Sequence, residues 1–185
     1  MPNPVYFDTS IFLEVATKGS KHKAHIRELL KAFQEDRVHP YTSIITVQEM
    51  SVAIFRRGRI ARDVYGDISK IARVYTVQKE IALTAAKYEA ALKDMAEAKQ
   101  EKRDPKKPET EDEKLELICE NRRRKWDCFH LATAHYLECE YFYTTDKKLF
   151  NRPKQLGLSI KALSPDLPMK SIHGPLLDKI GKETL

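Results

Sequence analysis

Short apolar runs alternate with longer stretches of helical periodicity along this chain, and the alternation predicts its elements in turn. Val5 to Phe7 is an apolar run that stops at Asp8-Thr9-Ser10, polar residues that suit a strand-to-helix turn. From His22 to Asp36, Ile26, Leu29, Leu30 and Phe33 recur at i, i+3, i+4 and i+7, the spacing of an amphipathic helix. His39 to Ile45 reads as a second strand, with Pro40 tolerated near its start. A helix is expected from Thr46, with Val47, Met50 and Ile54 on one face; Gly58 interrupts it before a second helical stretch from Ile60 toward Ile71.

Ala72 to Val77 is β-branched and aromatic enough for a third strand. Glu80 to Lys99 predicts a long Ala-rich helix, with Ile81, Ala85, Tyr88, Leu92 and Met95 at three- and four-residue steps. Lys99 to Lys114 breaks the pattern. It is dense in both charge signs, contains Pro105 and Pro108, and reads as an exposed, mobile insertion. A short helix around Leu115, Ile118 and Cys119 follows, then a helix from Trp126 to Cys139 and a strand from Tyr141 to Thr144. Leu158 to Leu163 is the last expected strand, before a Pro-containing tail that should run over the surface. There are no internal repeats. The pattern predicts an α/β fold, a central parallel sheet flanked by helices on both faces. The length suits one domain over residues 1–165, with a charged helical insertion at about 99–125 and a C-terminal tail at 166–185.

Composition narrows this only a little. An apolar share of 42% and a charged share of 32% describe a globular chain rather than a disordered one. The net charge of +6 is compatible with a nucleic-acid partner without establishing one. Cys119, Cys128 and Cys139 are odd in number and form no CxxC, so buried thiols in a reducing compartment are expected rather than disulfides or zinc. The amino terminus lacks a basic segment followed by an apolar one, and no run approaches the roughly 18 apolar residues of a spanning helix. A cytoplasmic protein with no membrane partner is the expectation.

The candidate chemistry lies in four acids remote from one another in sequence: Asp8, Glu49, Asp127 and Asp146. Asp8 and Asp146 each end a predicted strand. Glu49 falls in the first turn of the helix after the second strand, and Asp127 in the first turn of the helix that leads into the Asp146 strand. In a parallel sheet with helical crossovers, these positions share one edge. Convergent carboxylates are costly unless divalent cations fill the pocket between them. The plainer reading makes each acid a servant of its own helix. Thr46 and Glu49 spell a capping box, Asp8 and Asp146 could cap helices, and Asp127 could meet a helix dipole. Against it, Asp8 and Asp146 follow apolar strands, Ser10, Thr46 and Thr145 are available as caps, and the Asp127 helix turns apolar at Phe129 to Ala134. The shared site is preferred.

Other residues are weighed beside it. Arg122, Arg123, Arg124 and Lys125 lead into Asp127 and are candidate nucleic-acid contacts; positive charge at a helix start is unfavourable and hints at an anionic partner. Pairing with the acidic run from Glu109 to Glu120 would serve them equally well. Arg56, Arg57, Arg59 and Arg62 read as a solvated helix face. His130 reads as a core or supporting histidine rather than a general acid, Tyr141 to Tyr143 as strand packing, and Trp126 as half-buried beside a helix start.

The segments VYFDTSIF, DCFHLATA and YTTDKKLF, with the helix-borne Glu49, resemble the PIN-domain ribonucleases, especially the VapC-like toxin nucleases of bacterial and archaeal toxin–antitoxin systems. The resemblance runs from about Val5 to Leu163. It implies that Asp8, Glu49, Asp127 and Asp146 are the catalytic and metal-holding acids, with Thr9, Ser10 and Thr145 as polar companions. It also implies Mg²⁺ or Mn²⁺, an RNA substrate, a partner antitoxin and a homodimer. The insertion and the tail depart from compact members of the family. Haloacid-dehalogenase phosphatases and four-acid exonucleases both need an acid at position 10, where this chain has Ser10. A non-catalytic PIN-like module that binds RNA or protein is the alternative of a different class, and four acids present together count against it.

Overall fold

The computed structural model describes residues 4–35, 38–58, 63–100 and 110–165. Five three-residue strands, β1 (Val5–Phe7), β2 (Tyr41–Ser43), β3 (Arg73–Tyr75), β4 (Tyr141–Tyr143) and β5 (Lys161–Leu163), pair in parallel in the order β3-β2-β1-β4-β5. In β1 and β4 every residue is buried, as central strands covered on both faces require.

Alternation along the strands assigns each side chain to a layer. Val5, Phe7, Tyr141 and Tyr143 pack on one layer with Ile11, Phe12, Ile26, Leu29, Phe33, Met50, Val64 and Ile68. Those residues come from α1 (Thr9–Ala16), α2 (Lys23–Glu35), α3 (Ile44–Phe55) and α4 (Val64–Ser69). Tyr6 and Phe142 point the other way and stack with ring centroids 5.1 Å apart. They meet Ile81, Ala85, Leu92, Leu131, Ala132 and Leu149 from α5 (Lys79–Gln100), α6 (Glu111–Tyr136) and α7 (Lys147–Gln155). The expected α/β architecture, a parallel sheet with helices on both faces, is what forms.

Strand order positions the site. The chain steps outward from β1 to β2 and β3, then α5 and α6 carry it back across the sheet to β4 on the other side of β1. The order therefore reverses between β1 and β4. At such a reversal the two connections leave in opposite directions and open a crevice beyond the carboxyl ends of the strands. Val5 pairs with Tyr141 and Phe7 with Tyr143, so Asp8 and Thr144 emerge side by side at that crevice.

Several expected boundaries move. The second strand stops at Ser43 because that hydroxyl accepts from the Ile45 N–H and caps α3, drawing Ile44 and Ile45 into the helix. Thr46 is therefore a buried interior residue, not a cap, and the capping box with Glu49 does not form. The short helix near Leu115 and the helix expected from Trp126 are one continuous α6, beginning at Glu111. α7, with its many charges and Pro153, carried no apolar repeat and was not expected as an element. α5 extends to Gln100 and residues 111–114 belong to α6; residues 101–109 of the expected mobile insertion lie outside the described residues. So do Ile60 and its neighbours 59–62, where the second helical stretch was placed, and the tail at 166–185.

The thiol expectation holds for two cysteines of three. Burial pushes Cys128 and Cys139 up to about 12, whereas Cys119 is exposed. Among the described residues no helix is long and apolar enough to cross a membrane.

Candidate active site

Asp8 sits one residue beyond β1, and its carboxylate accepts from the Ser10 N–H, capping α1. Asp146 does the same for α7, accepting from the Lys148 and Leu149 N–H groups. Both are therefore helix caps after all, and Ser10 and Thr145 do not replace them. Capping and a shared site are compatible here, because the two helices start at adjacent strand ends.

A hydroxyl relay joins these two acids. The Thr144 hydroxyl donates to Asp8 Oδ2 at 3.0 Å and accepts from the Asp146 N–H at 3.0 Å. The Ser10 hydroxyl accepts from the Thr145 N–H at 2.9 Å and lies 3.3 Å from Thr144 Oγ1. The β1–α1 and β4–α7 turns are thus locked together by short polar side chains.

Glu49 enters from α3, in its second turn rather than its first. Thr9 Oγ1 donates to Glu49 Oε2, and His130 Nε2 lies 3.1 Å from the same oxygen and 3.7 Å from Asp8 Oδ1. Those two carboxylate oxygens are therefore no further apart than the sum of the two distances, 6.8 Å. Behind Thr9, Thr46 and Thr42 continue the network to the Phe7 carbonyl, which accepts from Thr42 at 2.8 Å.

His130 is 1% exposed and is held on its other side by the Tyr6 hydroxyl, 2.8 Å from Nδ1. Burial works to lower its pKa, but the Glu49 hydrogen bond and the charges of Asp8, Glu49 and Asp127 outweigh that and raise it. For Glu49, burial works upward, and the hydrogen bond and charge of His130, with the Thr9 bond, bring it below its ordinary value. The reading of His130 as a supporting residue fits this placement.

Asp127 lies deep within α6, not in a first turn. Its carboxylate is fixed by Arg152 of α7, Nε to Oδ2 at 2.9 Å. Burial nevertheless pushes its pKa up to about 6; Arg152 opposes the shift, and the charges of Asp8 and Asp146 add to it. Asp127 thus feels both of the acids at the crevice.

The basic cluster divides. Arg124 is 3% exposed and bonded to Asn121, so it is not an open RNA contact. All four cations lie inside α6, which removes the argument from a helix start. Successive helical residues turn by about 100°, so Arg123, four before Asp127, shares the face of that acid, while Arg122 and Lys125 turn outward. Trp126 is half-buried, as expected, although within a helix rather than at its start.

The sequence reading missed Arg152 and Thr144. A cation among the buried residues Leu149 and Pro153 of α7 was the available signal for Arg152, but it required knowing that α7 exists.

The fit to a divalent ion rests on donor chemistry. All four groups are carboxylates, the hard oxygen donors that Mg²⁺ and Mn²⁺ take. Among the described residues, no three His, Cys, Asp or Glu side chains are gathered closely enough to hold an ion together. Each carboxylate is turned to its own partner: Asp8 and Asp146 to helix N–H groups, Glu49 to Thr9 and His130, Asp127 to Arg152. Mg²⁺ commonly binds through one or two carboxylates with waters and substrate phosphate, so these donors suit such an ion in kind.

The raised pKa values have a consequence for metal-free protein. Asp127 has an ordinary value of 3.8 and a folded one of about 6, so the stability linked to its proton is lost as pH rises through about 6. That loss is on the order of 3 kcal/mol. His130 acts in the same direction above its ordinary 6.5, whereas the Glu49 contribution is lost as pH falls below 4.5. In chelator, the melting temperature should be higher near about pH 5.5 than about pH 7.5. Added Mn²⁺ should narrow that gap. A melting curve independent of both pH and metal would contradict this electrostatic picture.

The comparisons with known proteins bear on the fold and the family. The model of the PIN domain matches residues 5–155, and the chain belongs to the PIN domain family. PIN domains are generally nucleases and typically use divalent metals. No curated protein matches the chain.

Proposed function

We propose that this protein is a divalent-metal-dependent ribonuclease that hydrolyses RNA phosphodiester bonds endonucleolytically. The finer assignment, a VapC-like toxin of a type II toxin–antitoxin pair with an antitoxin partner, rests on the resemblance of VYFDTSIF, DCFHLATA and YTTDKKLF. One observation supports the nuclease reading most. Asp8 and Asp146, at the strand-order reversal, are joined by Thr144, while Glu49 and Asp127 reach the same crevice from α3 and α6.

Asp8 and Asp146 would hold Mg²⁺ or Mn²⁺ most directly, with Glu49 and Asp127 completing the site directly or through water. The ion would supply charge stabilisation and a lowered pKa for an attacking water. The residues around it supply orientation. Thr144 and Ser10 fix the two strand-end acids, Thr9 and His130 fix Glu49, and Arg152 fixes Asp127. Arg123, one helical turn from Asp127, would meet a phosphate of the RNA backbone.

Purified protein incubated with RNA and Mn²⁺, with and without chelator, tests the reading. Cleavage that disappears in chelator supports it; binding without cleavage would favour the non-catalytic PIN-like module. A second expectation concerns Arg123→Glu. The slope of log binding constant against log salt should become shallower by about one, the signature of a lost phosphate contact. An unchanged slope removes Arg123 from the RNA path.

A further inference from the structure

Trp126, the single tryptophan of the chain, has no part in the nuclease reading although it directly precedes Asp127. It is half-buried, and among the described residues it joins neither layer of the core. Cys128, Leu131 and Ala132 of the same helix are fully buried. The Trp126 ring rests against Phe129, with centroids 6.1 Å apart at 37°, and Phe129 itself only borders the core. A large apolar ring is therefore braced on one side and left partly open to solvent.

Its neighbours on α6 set what it can meet. Successive helical residues turn by about 100°, so Arg123 lies about 40° from Asp127, His130 about 60°, Trp126 about 100° and Arg122 about 140°, all to the same side. That side meets two of the acids. His130 Nε2 lies 3.1 Å from Glu49 Oε2 and 3.7 Å from Asp8 Oδ1. Trp126 is one turn before His130, and helical side chains lean toward the amino end. The ring thus stands a turn outward from Asp8 and Glu49. Arg122 and Arg123, both exposed, occupy the turn beyond it.

We propose that Trp126 is a nucleobase subsite: the base of a nucleotide near the bond that is cut stacks on its ring, while Arg122 and Arg123 take the adjoining phosphates. The proposal rests on the nuclease reading and adds to it. Phosphate contacts set the position of a strand without engaging its bases. A stacked base fixes the strand further, and it must be splayed out to offer its face. Every base has such a face, so the subsite tolerates any sequence. Phe129 holds the ring in place before RNA arrives, which lowers the ordering cost of binding.

Because the chain has one tryptophan, its emission reports on this position alone. The full chain is titrated with single-stranded oligoriboadenylate in chelator, and again with Ca²⁺ to fill carboxylate sites. The RNA should quench the emission, whereas inorganic polyphosphate, which offers charge without bases, should not. Trp126→Leu should raise the dissociation constant for the same RNA about tenfold, read by anisotropy of a labelled strand. Its slope against salt should stay that of the parent, since no phosphate contact is lost. Trp126→Tyr keeps a stacking face and should bind within about threefold of the parent. The quenching measurement uses the unaltered chain, so it does not depend on either variant folding. RNA bound without quenching, equal quenching by polyphosphate, or a folded Trp126→Leu that binds like the parent overturns the subsite. Mn²⁺-dependent cleavage by the parent in any of those cases leaves the nuclease reading standing. A chain that neither binds nor cleaves RNA removes both.

Discussion

Asp8→Asn should cut RNA cleavage by on the order of 10²–10³-fold, the scale of losing one preorganised charge-stabilising group, with little change in melting temperature. The two effects separate because Asp8 has two tasks. As a cap it accepts the Ser10 N–H and the Thr144 hydroxyl, both on Oδ2. An amide oxygen can keep accepting there, so α1 stays capped. As a ligand it needs its negative charge, which the amide lacks. Asp8→Ala, by contrast, would remove the cap and cost about 1 kcal/mol in addition. Cleavage by Asp8→Asn within twofold of the parent, at equal metal affinity, would refute the role assigned to this residue.

Arg152→Met should have the largest effect on stability, about 3–5 kcal/mol in chemical denaturation. Arg152 is 6% exposed and its Nε–H meets Asp127 Oδ2 at 2.9 Å. Truncating it strands a carboxylate that burial already pushes up to about 6, beside the charges of Asp8 and Asp146. The cost comes from leaving that charge unpaired rather than from the intrinsic value of the ion pair. Asp127→Asn in the Arg152→Met background should therefore recover more than half of the loss. A cost below about 1 kcal/mol for Arg152→Met, or no recovery in the double variant, would show that the pair is not what keeps Asp127 tolerable.

Much of the fold was legible because apolar periodicity reports which face of an element is buried. Val5 to Phe7 and Tyr141 to Tyr143 stood out as strands for that reason, and Ile26, Leu29 and Phe33 marked α2. Boundaries failed where a side chain, not a pattern, decides them. Ser43 ended β2 two residues early by capping α3. α6 absorbed a charged segment that composition alone assigned to an insertion, because a helix already anchored at Cys128 and Leu131 can propagate outward through polar residues.

The site was legible to a similar degree. Placing Asp8, Glu49, Asp127 and Asp146 along one edge followed from the parallel-sheet rule; the structure links Asp8 to Asp146 through Thr144 and sets His130 between Asp8 and Glu49, while Asp127 is bonded to Arg152. The supporting reasons were partly mistaken: Asp8 and Asp146 do cap helices, and Glu49 and Asp127 are not in first turns. The expectation of a shared edge depends on strand order and helix direction, not on the exact turn. What stayed hidden were the partners that hold the acids, Thr144, Arg152 and the two-sided His130. Each is remote in sequence from the acid it serves, so no local pattern could point to it.

Anomalous diffraction from crystals soaked in Mn²⁺ tests the central claim most directly. A peak within ligating distance of Asp8 and Asp146 carboxylate oxygens, with Glu49 and Asp127 turned toward it, is the result expected. A manganese site elsewhere on the protein, with these four side chains still bonded only to their present partners, would contradict it.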